Sequence, residues 1–278
     1  MKYKLIAIDL DGTLLTDDKR ITDESISALK EIIERGYEIV IATGRRYWSA
    51  KRFVESIDEN ICILANNGNI VRNKKDDKIL IKKYLNVEDF NLLVEEGKRE
   101  GLYPVIHVDN YEDGYDMVIE LDRKNSKYST YLSDNVDRFR RVDDLLKMDS
   151  PKVLTVVYVG DKEKLESFNN KILEKYPGKY SSHVMENMTI AGALLEVMNP
   201  LGSKWLSLEE YGKAKGIKDY EMIAIGDDNN DVEMVKKAGL GIAMKNGSLK
   251  VKEAADIVTD KSNNENGVGC ILKEVLNI

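Results

Sequence analysis

Cysteine and histidine are scarce in this 278-residue sequence: Cys62, Cys270, His107 and His183 are the only examples. The two cysteines form no CxxC pair and no disulfide framework, which fits a reducing, cytoplasmic setting. Both histidines fall in one internal stretch, so no zinc site or Ser-His-Asp triad can be built around the motifs found elsewhere. No repeat with a period of about 20–50 residues is present. Glutamine is absent while Lys and Glu abound; the many Asn residues point to a biased genome rather than a hot habitat. The N-terminal apolar run, Leu5 to Ile8, is too short for a signal-peptide core or a membrane span. Positive charge is outnumbered, 42 Lys and Arg against 49 Asp and Glu. That net of −7 argues against a nucleic-acid groove made from overall charge and suits a soluble protein. Nothing in the sequence sets an oligomeric state.

What is present is a strand–helix alternation. Residues 4–9 read as a buried strand. Thr22 reads as an N-cap, followed by an apolar face of Ile26, Leu29, Ile32 and Ile33 and a stop at Gly36. Strands are expected at 38–43 and 61–65, with a helix over 47–57 between them. Continuous apolar strands separated by helices predict a parallel sheet covered on both faces. A hairpin is expected over 66–71 and 78–85. From there to about 190 the style changes to α+β: helices at 88–100 and 162–175, another ending near "DDLLKM", and strands at "PVIHV", "KVLTVVYV" and "YSSHVM". The first style returns with "LLEVM", a helix over 203–215, "MIAIGDD", a helix near 230–238, "GLGIAM", "DIVT" and a last helix over 266–277. The fold expected is therefore α/β. A doubly wound, Rossmann-like parallel-sheet core, 1–84 plus 191–278, is interrupted by an inserted α+β domain, 85–190.

Three strands end in compact polar sequences, "DLDGT", "ATGR" and "GDDNND", and ligands bind beyond the carboxyl ends of such strands. Asp9 and Asp11 are two apart, so in extended chain they point to the same side. Set at the end of an apolar strand, the pair reads as a nucleophile beside a general acid/base, with like charges separating the two pKa values. The plainer alternative is a turn with solvated carboxylates. Asp227, Asp228 and Asp231 could cap a helix N-terminus. They could instead join the first pair around Mg²⁺, a hard ion that takes oxygen ligands. An EF-hand is excluded, because Val232 and Ala238 occupy the positions that need Gly and Glu. "TGR", 43–45, is a plain N-cap or a phosphate-binding turn. Lys204, near a helix start, is either exposed or faces an anion. "GLGIAM" is not a dinucleotide fingerprint, since Met244 replaces the third Gly and a strand rather than a helix is expected to follow. "NMT", 187–189, and "NGS", 246–248, match the glycosylation pattern without a secretory context.

Taken in order, DxDGT, TGR, a lone Lys and GDxxND resemble the haloacid dehalogenase (HAD) superfamily of phosphatases over the whole chain. The large insert resembles the cap domain of the Cof-like subfamily, class IIB. The resemblance implies a phosphoric monoester hydrolase. It implies Asp9 as the nucleophile that forms an aspartyl-phosphate and Asp11 as general acid and then base. It further implies Mg²⁺ held by the Asp9 carboxylate, the Asp11 backbone carbonyl and Asp227. Thr43, Gly44, Lys204 and Asn230 are implied to contact phosphate, and Asp231 to orient Lys204 or metal-bound water. Three positions depart from the subfamily pattern. Trp205 and Lys245 stand where Gly is common, and Asn69 where Ala is usual; Trp205 and Asn69 are expected to reshape the pocket.

The substrate expected is a small phosphomonoester, a sugar phosphate or a phosphorylated cofactor such as pyridoxal phosphate or flavin mononucleotide. An insert joined at two points can close as a lid over such a leaving group. Nucleic acid and membrane are not expected partners. The rivals are a phosphotransferase or mutase on the same fold, and a non-enzymatic aspartyl-phosphate switch. Asp11 argues against the switch, which needs a long-lived phosphoaspartate.

Overall fold

A computed structural model gives the fold, and the structure describes residues 2–57, 60–122, 125, 128, 131–132, 138–187 and 192–278. The chain folds as two compact units, Met1–Lys82 with Ser203–Ile278, and Lys83–Gly202.

The first unit begins with β1 (Leu5–Ile8), whose four residues are all buried. Next comes α1 (Asp23–Glu34), where the Thr22 hydroxyl accepts from the Ser25 N–H at 3.2 Å and Asp23 and Glu24 sit at the favourable end of the dipole. Then follow β2 (Glu38–Ala42), α2 (Tyr47–Phe53), β3 (Cys62–Ala65), β4 (Ile70–Asn73) and β5 (Ile79–Lys82). The second unit carries α3 (Val87–Arg99), β6 (Val105–Val108), β7 (Met117–Ile119), β8 (Phe139–Arg141), β9 (Val153–Gly160), α4 (Lys162–Lys175), β10 (Ser181–Asn187) and β11 (Gly192–Met198). The first unit resumes with α5 (Lys204–Ala214), β12 (Met222–Gly226), α6 (Val232–Lys237), β13 (Leu240–Ala243), α7 (Leu249–Ala254), β14 (Ile257–Val258) and α8 (Gly267–Leu276).

The strand order of the first sheet is β14-β13-β12-β1-β2-β3-β4-β5. From β14 to β3 all pairs are parallel, while β4 and β5 add an antiparallel hairpin at one edge. The chain winds outward from β1 through β2 and β3, then returns to the other side of β1 with β12. The order reverses there, which opens the crevice that ligands use in such sheets. The register is flush: Ile8 lies beside both Ile41 and Ile225. The residues following β1, β2 and β12 therefore emerge side by side. Below them Leu5 and Ala7 pack with Trp205, Leu208, Met234 and Val235 of α5 and α6. Ile6, Ile8, Ile39 and Ile41 face the opposite side and are equally buried. The result is the doubly wound, helix-covered parallel core expected.

The second unit is a six-stranded sheet, β10-β11-β9-β6-β7-β8, antiparallel except for the β7–β8 pair. Phe90, Leu93 and Val94 of α3 and Phe168 and Ile172 of α4 share a core with Val156 and Tyr158 of β9. The Tyr158 hydroxyl, too deep to reach water, donates to Leu93 O at 2.7 Å.

Several expectations need correction. The strand "LLEVM" does not open the second half of the core. It belongs to β11, which pairs with β9 and β10, so the return to the first unit falls at Ser203 rather than 191. An apolar strand carries no mark of which sheet it will join. The helix expected over 47–57 ends at Phe53. The segment approaching "DDLLKM" holds β8 and a 3-10 turn at Leu145–Lys147 instead of a helix, and much of 123–137 lies outside the described residues. The last two residues of "NMT" and the expected boundary residues 190 and 191 lie outside them as well. Helix α7 was not expected. Among the described residues, no helix is long and apolar enough to cross a membrane.

Candidate active site

Asp9 is the first residue beyond β1, and its N–H continues the ladder by donating to Ile225 O at 3.0 Å. Its carboxylate is buried and accepts from the Lys204 ammonium at 2.6 Å. Lys204 opens α5, whose first turn is fixed by the Ser203 hydroxyl accepting from the Leu206 N–H. With only 1% of its side chain exposed, Lys204 also donates to Asp231 at 2.6 Å. Asp231 is itself wholly buried, and its second oxygen accepts from the N–H groups of Asp227 and Asp228 at 3.0 and 3.1 Å. A lysine that sequence alone left either exposed or facing an anion is therefore clamped between two carboxylates.

Asp227 completes the cluster. It accepts from the Thr13 hydroxyl at 2.7 Å. Gly12 makes this approach possible: its φ is +78°, and a Cβ there would lie 2.2 Å from an Asp227 oxygen. The Gly-Thr that follows the two aspartates in sequence is thus the seat of a third aspartate from the other half of the core. One oxygen each from Asp9, Asp227 and Asp231 lies within 4.8 Å of the others. Two buried carboxylates and one half-buried carboxylate thus gather around a single ammonium, which bonds the two buried ones. Burial drives the Asp9 carboxyl well above its ordinary value; Lys204 opposes this, and Asp231 and Asp227 add to it. Burial likewise lifts Asp227 to about 7, against the pull of the Thr13 hydrogen bond. Lys204 is held charged, because Asp231 and Asp9 outweigh the burial that acts against it. This surplus of buried negative charge, on hard oxygen donors, fits a divalent cation. Asp9 and Asp227 are the better placed to take one, since Asp231 already serves Lys204 and two N–H groups.

Asp11 is less buried, with 38% of its side chain exposed. Its carboxylate belongs to a second cluster, where Arg45 grips both oxygens, one of them at 2.6 Å, and Lys19 donates at 2.7 Å. Burial works against its charge, but Arg45 and Lys19 prevail and hold Asp11 below the ordinary value. With no cation bound, burial raises the Asp9 carboxyl while Arg45 and Lys19 lower that of Asp11, so the two are pushed apart. Arg45 is the missed partner. It stood in view in "TGR", but nothing local says that its side chain reaches back 34 residues; its guanidinium also lies 4.3 Å from the Phe53 ring centre.

On the side of β2, Thr43 is buried and its hydroxyl accepts from the Arg45 N–H at 3.1 Å, closing the turn around Gly44. Asn230 donates to Asn67 Oδ1 at 3.0 Å. Asn67, in the turn after β3, was also missed. Of the three departures from the family pattern, Trp205 is packed in the core beneath α5, so it does not shape the site as expected. Asn69 is fully buried and donates to Asn66 O. Lys245 is exposed, 3.7 Å from Glu265.

Residues 6–272 match the family model described as haloacid dehalogenase-like hydrolase. YxeH of Bacillus subtilis is 30% identical over 278 residues, covering 99% of this chain and 98% of its own. The 5-amino-6-(5-phospho-D-ribitylamino)uracil phosphatase YcsE of the same organism is 29% identical, covering 95% and 92%. A crystal structure of a haloacid dehalogenase-like hydrolase from Bacteroides thetaiotaomicron superposes with a TM-score of 0.83 at 29% identity, over 99% of this chain and all of the other.

Proposed function

This chain belongs to the haloacid dehalogenase-like hydrolase family, and on that premise we propose that it is a phosphatase that moves the phosphoryl group of a small phosphomonoester onto Asp9 and then to water. The observation that carries this reading is the buried Lys204, shared by Asp9 and Asp231 at the point where the strand order reverses. In the first step an Asp9 oxygen forms a bond to phosphorus and the bond to the ester oxygen breaks. Asp11 gives its proton to that leaving oxygen. In the second step Asp11 takes a proton from water, whose oxygen attacks phosphorus and frees Asp9 and phosphate. To act as the acid, Asp11 must separate from Arg45 and Lys19, which both favour its ionised form. Lys204, Thr43, Gly44 and Asn230 bind the phosphate oxygens, and Asp231 keeps Lys204 aimed. Phosphoryl transfer asks mainly for such positioning and charge neutralisation.

The Asp9 and Asp227 carboxylates, with the Asp11 backbone carbonyl, would hold Mg²⁺. When bound, it supplies positive charge against the phosphate and offsets the repulsion between two anions. Its presence would also return Asp9 to the ionised form that attack requires.

The relative YcsE acts on a phosphorylated ribityl-amino-uracil by its name. That compound combines the two expected leaving-group types, a sugar-like chain and a heteroaromatic ring. It heads the test panel, with sugar phosphates, pyridoxal phosphate and flavin mononucleotide beside it, and phosphoprotein and nucleic-acid ends as controls. Purified protein with Mg²⁺ should release phosphate from several small esters without any added acceptor, and EDTA should stop it. Release only with an acceptor sugar would mark a phosphotransferase. No release from any ester by folded, Mg²⁺-supplied protein would overturn the reading.

A further inference from the structure

The Asn66–Gly68 turn after β3 has an unusual backbone. Asn66 and Asn67 are both left-handed, with φ of 49° and 52°, and Gly68 follows at 93°. Non-glycine residues are strained in that region, and asparagine tolerates it better than most. Backbone tolerance alone would explain an asparagine at position 67. It does not explain why the side chain is buried and engaged: Asn67 is 2% exposed, and its Oδ1 accepts from Asn230 Nδ2 at 3.0 Å.

The turn is tied on two further sides. The Asn67 N–H donates to Thr43 O at 3.0 Å and the Asn66 N–H to Arg45 O at 2.9 Å, so the turn spans Gly44. A Cβ added to Gly44 would sit 3.3 Å from Asn67 Oδ1. On the other side Gly68 O accepts from the Ser207 hydroxyl at 2.7 Å, and a Cβ on Gly68 would come within 2.3 Å of Ser203 O. Ser203 and Ser207 bracket Lys204 on the first turn of α5. One turn therefore touches all three elements that carry the phosphate-side groups: the Thr43–Gly44 turn, the start of α5 and the Asn230 loop.

We propose that Asn67 is a positioning residue of the phosphate pocket, its amide holding Asn230 in register with the Gly44 turn before substrate arrives. This inference rests on the phosphatase reading above. Asn230 lies in a short 3-10 turn, Asn229–Asp231, where its side chain has no helix or strand to orient it. A side chain fixed in advance loses no further freedom when phosphate binds, and the gain appears as affinity for the phosphate and its trigonal analogues.

Asn67→Gly tests this, because glycine keeps the left-handed backbone at no steric cost while removing the side chain that carries the amide. Hydrolysis, vanadate inhibition and thermal melting are measured at saturating Mg²⁺. The vanadate inhibition constant should rise about tenfold, the scale of one lost buried hydrogen bond, while melting remains cooperative and shifts by no more than about 5 °C, since relief of the left-handed backbone offsets part of the loss. Asn67→Gly combined with Asn230→Ala should bind vanadate no worse than Asn230→Ala alone, since the first residue acts through the second. Unchanged vanadate inhibition in Asn67→Gly, or full additivity in the double variant, would overturn the inference. Absence of vanadate-sensitive phosphate release from the wild type would instead sink the phosphatase reading itself.

Discussion

Glu96 of α3 and Asp9 after β1 are both buried carboxylates, at 2% and 5% exposure, yet their surroundings are opposites. Glu96 is met by cations that reach down from the surface: Lys175 at 2.8 Å and Arg99, whose side chains are 48% and 60% exposed. Their charge holds Glu96 below its ordinary value, with the Lys175 hydrogen bond the leading cause and burial opposing it. Asp9 shares one buried ammonium with Asp231, Asp227 lies close by, and the Asp9 pKa is driven up by burial. One carboxylate is over-compensated by cations from the surface; in the other cluster carboxylates outnumber the cation three to one. The first arrangement is complete as it stands. The second is completed only when a cation enters, alone or together with a phosphate.

Replacing each carboxylate by its amide should separate the two most sharply. Asp9→Asn should cut phosphate release by about 10⁴-fold or more if Asp9 is the nucleophile proposed above. Its melting temperature should change little, because Lys204 keeps Asp231 as a buried partner. Glu96→Gln should leave turnover unchanged. Comparable phosphate release from Asp9→Asn and Glu96→Gln would erase the distinction and the nucleophile assignment.

Asp11→Asn probes the second ion cluster. Turnover on alkyl phosphates should drop about 10²–10⁴-fold, the usual worth of general acid–base catalysis. The loss should be much smaller on p-nitrophenyl phosphate, whose leaving group needs little protonation. An equal loss on both substrates would count against Asp11 as the acid.

Lys204→Met leaves Asp9 and Asp231 buried without their cation and should destabilise the fold by about 3–5 kcal/mol. Urea unfolding measures this, and added Mg²⁺ should recover part of it. A loss below about 1 kcal/mol would place Lys204 among ordinary surface ion pairs, against its burial.

The smallest effect belongs to the insert. Glu96→Gln should cost about 1 kcal/mol at pH 7, because the cations it pairs with remain partly hydrated. A carboxylate lowered by folding contributes stability above its unfolded pKa, and that contribution fades as pH falls through the folded value. The deficit of Glu96→Gln relative to wild type should therefore be constant above about pH 5 and shrink in acid. A deficit that grows in acid would contradict the ion-pair account.

What could be read from the sequence follows from range. Strand β1, helix α1 with its Thr22 cap, and the three polar strand ends are local patterns, so they were legible. Asp9, Asp227, Asp231 and Lys204 could be grouped because four short motifs together match a family. Arg45 on Asp11, Asn67 on Asn230 and β11 on β9 are non-local pairings among residues whose local roles were already plausible. Sequence spacing holds nothing that selects them. Trp205 failed differently: its neighbour Lys204 faces the site, and a one-residue step on a helix turns the next side chain toward the sheet.

The winding of the first sheet has a consequence for how the protein is made. Ala7 pairs on one side with Val40 and on the other with Ala224. The second partner leaves the ribosome roughly 10–40 s after the first strand at typical elongation rates. During that interval Leu5–Ile8 offers a bare, wholly apolar edge to the cell, the kind that recruits other chains. The contiguous insert can finish folding meanwhile, but the edge is closed only when β12 arrives. Asp227 and Asp231 emerge with it, so the capacity for chemistry and the end of the aggregation hazard come in the same moment of synthesis.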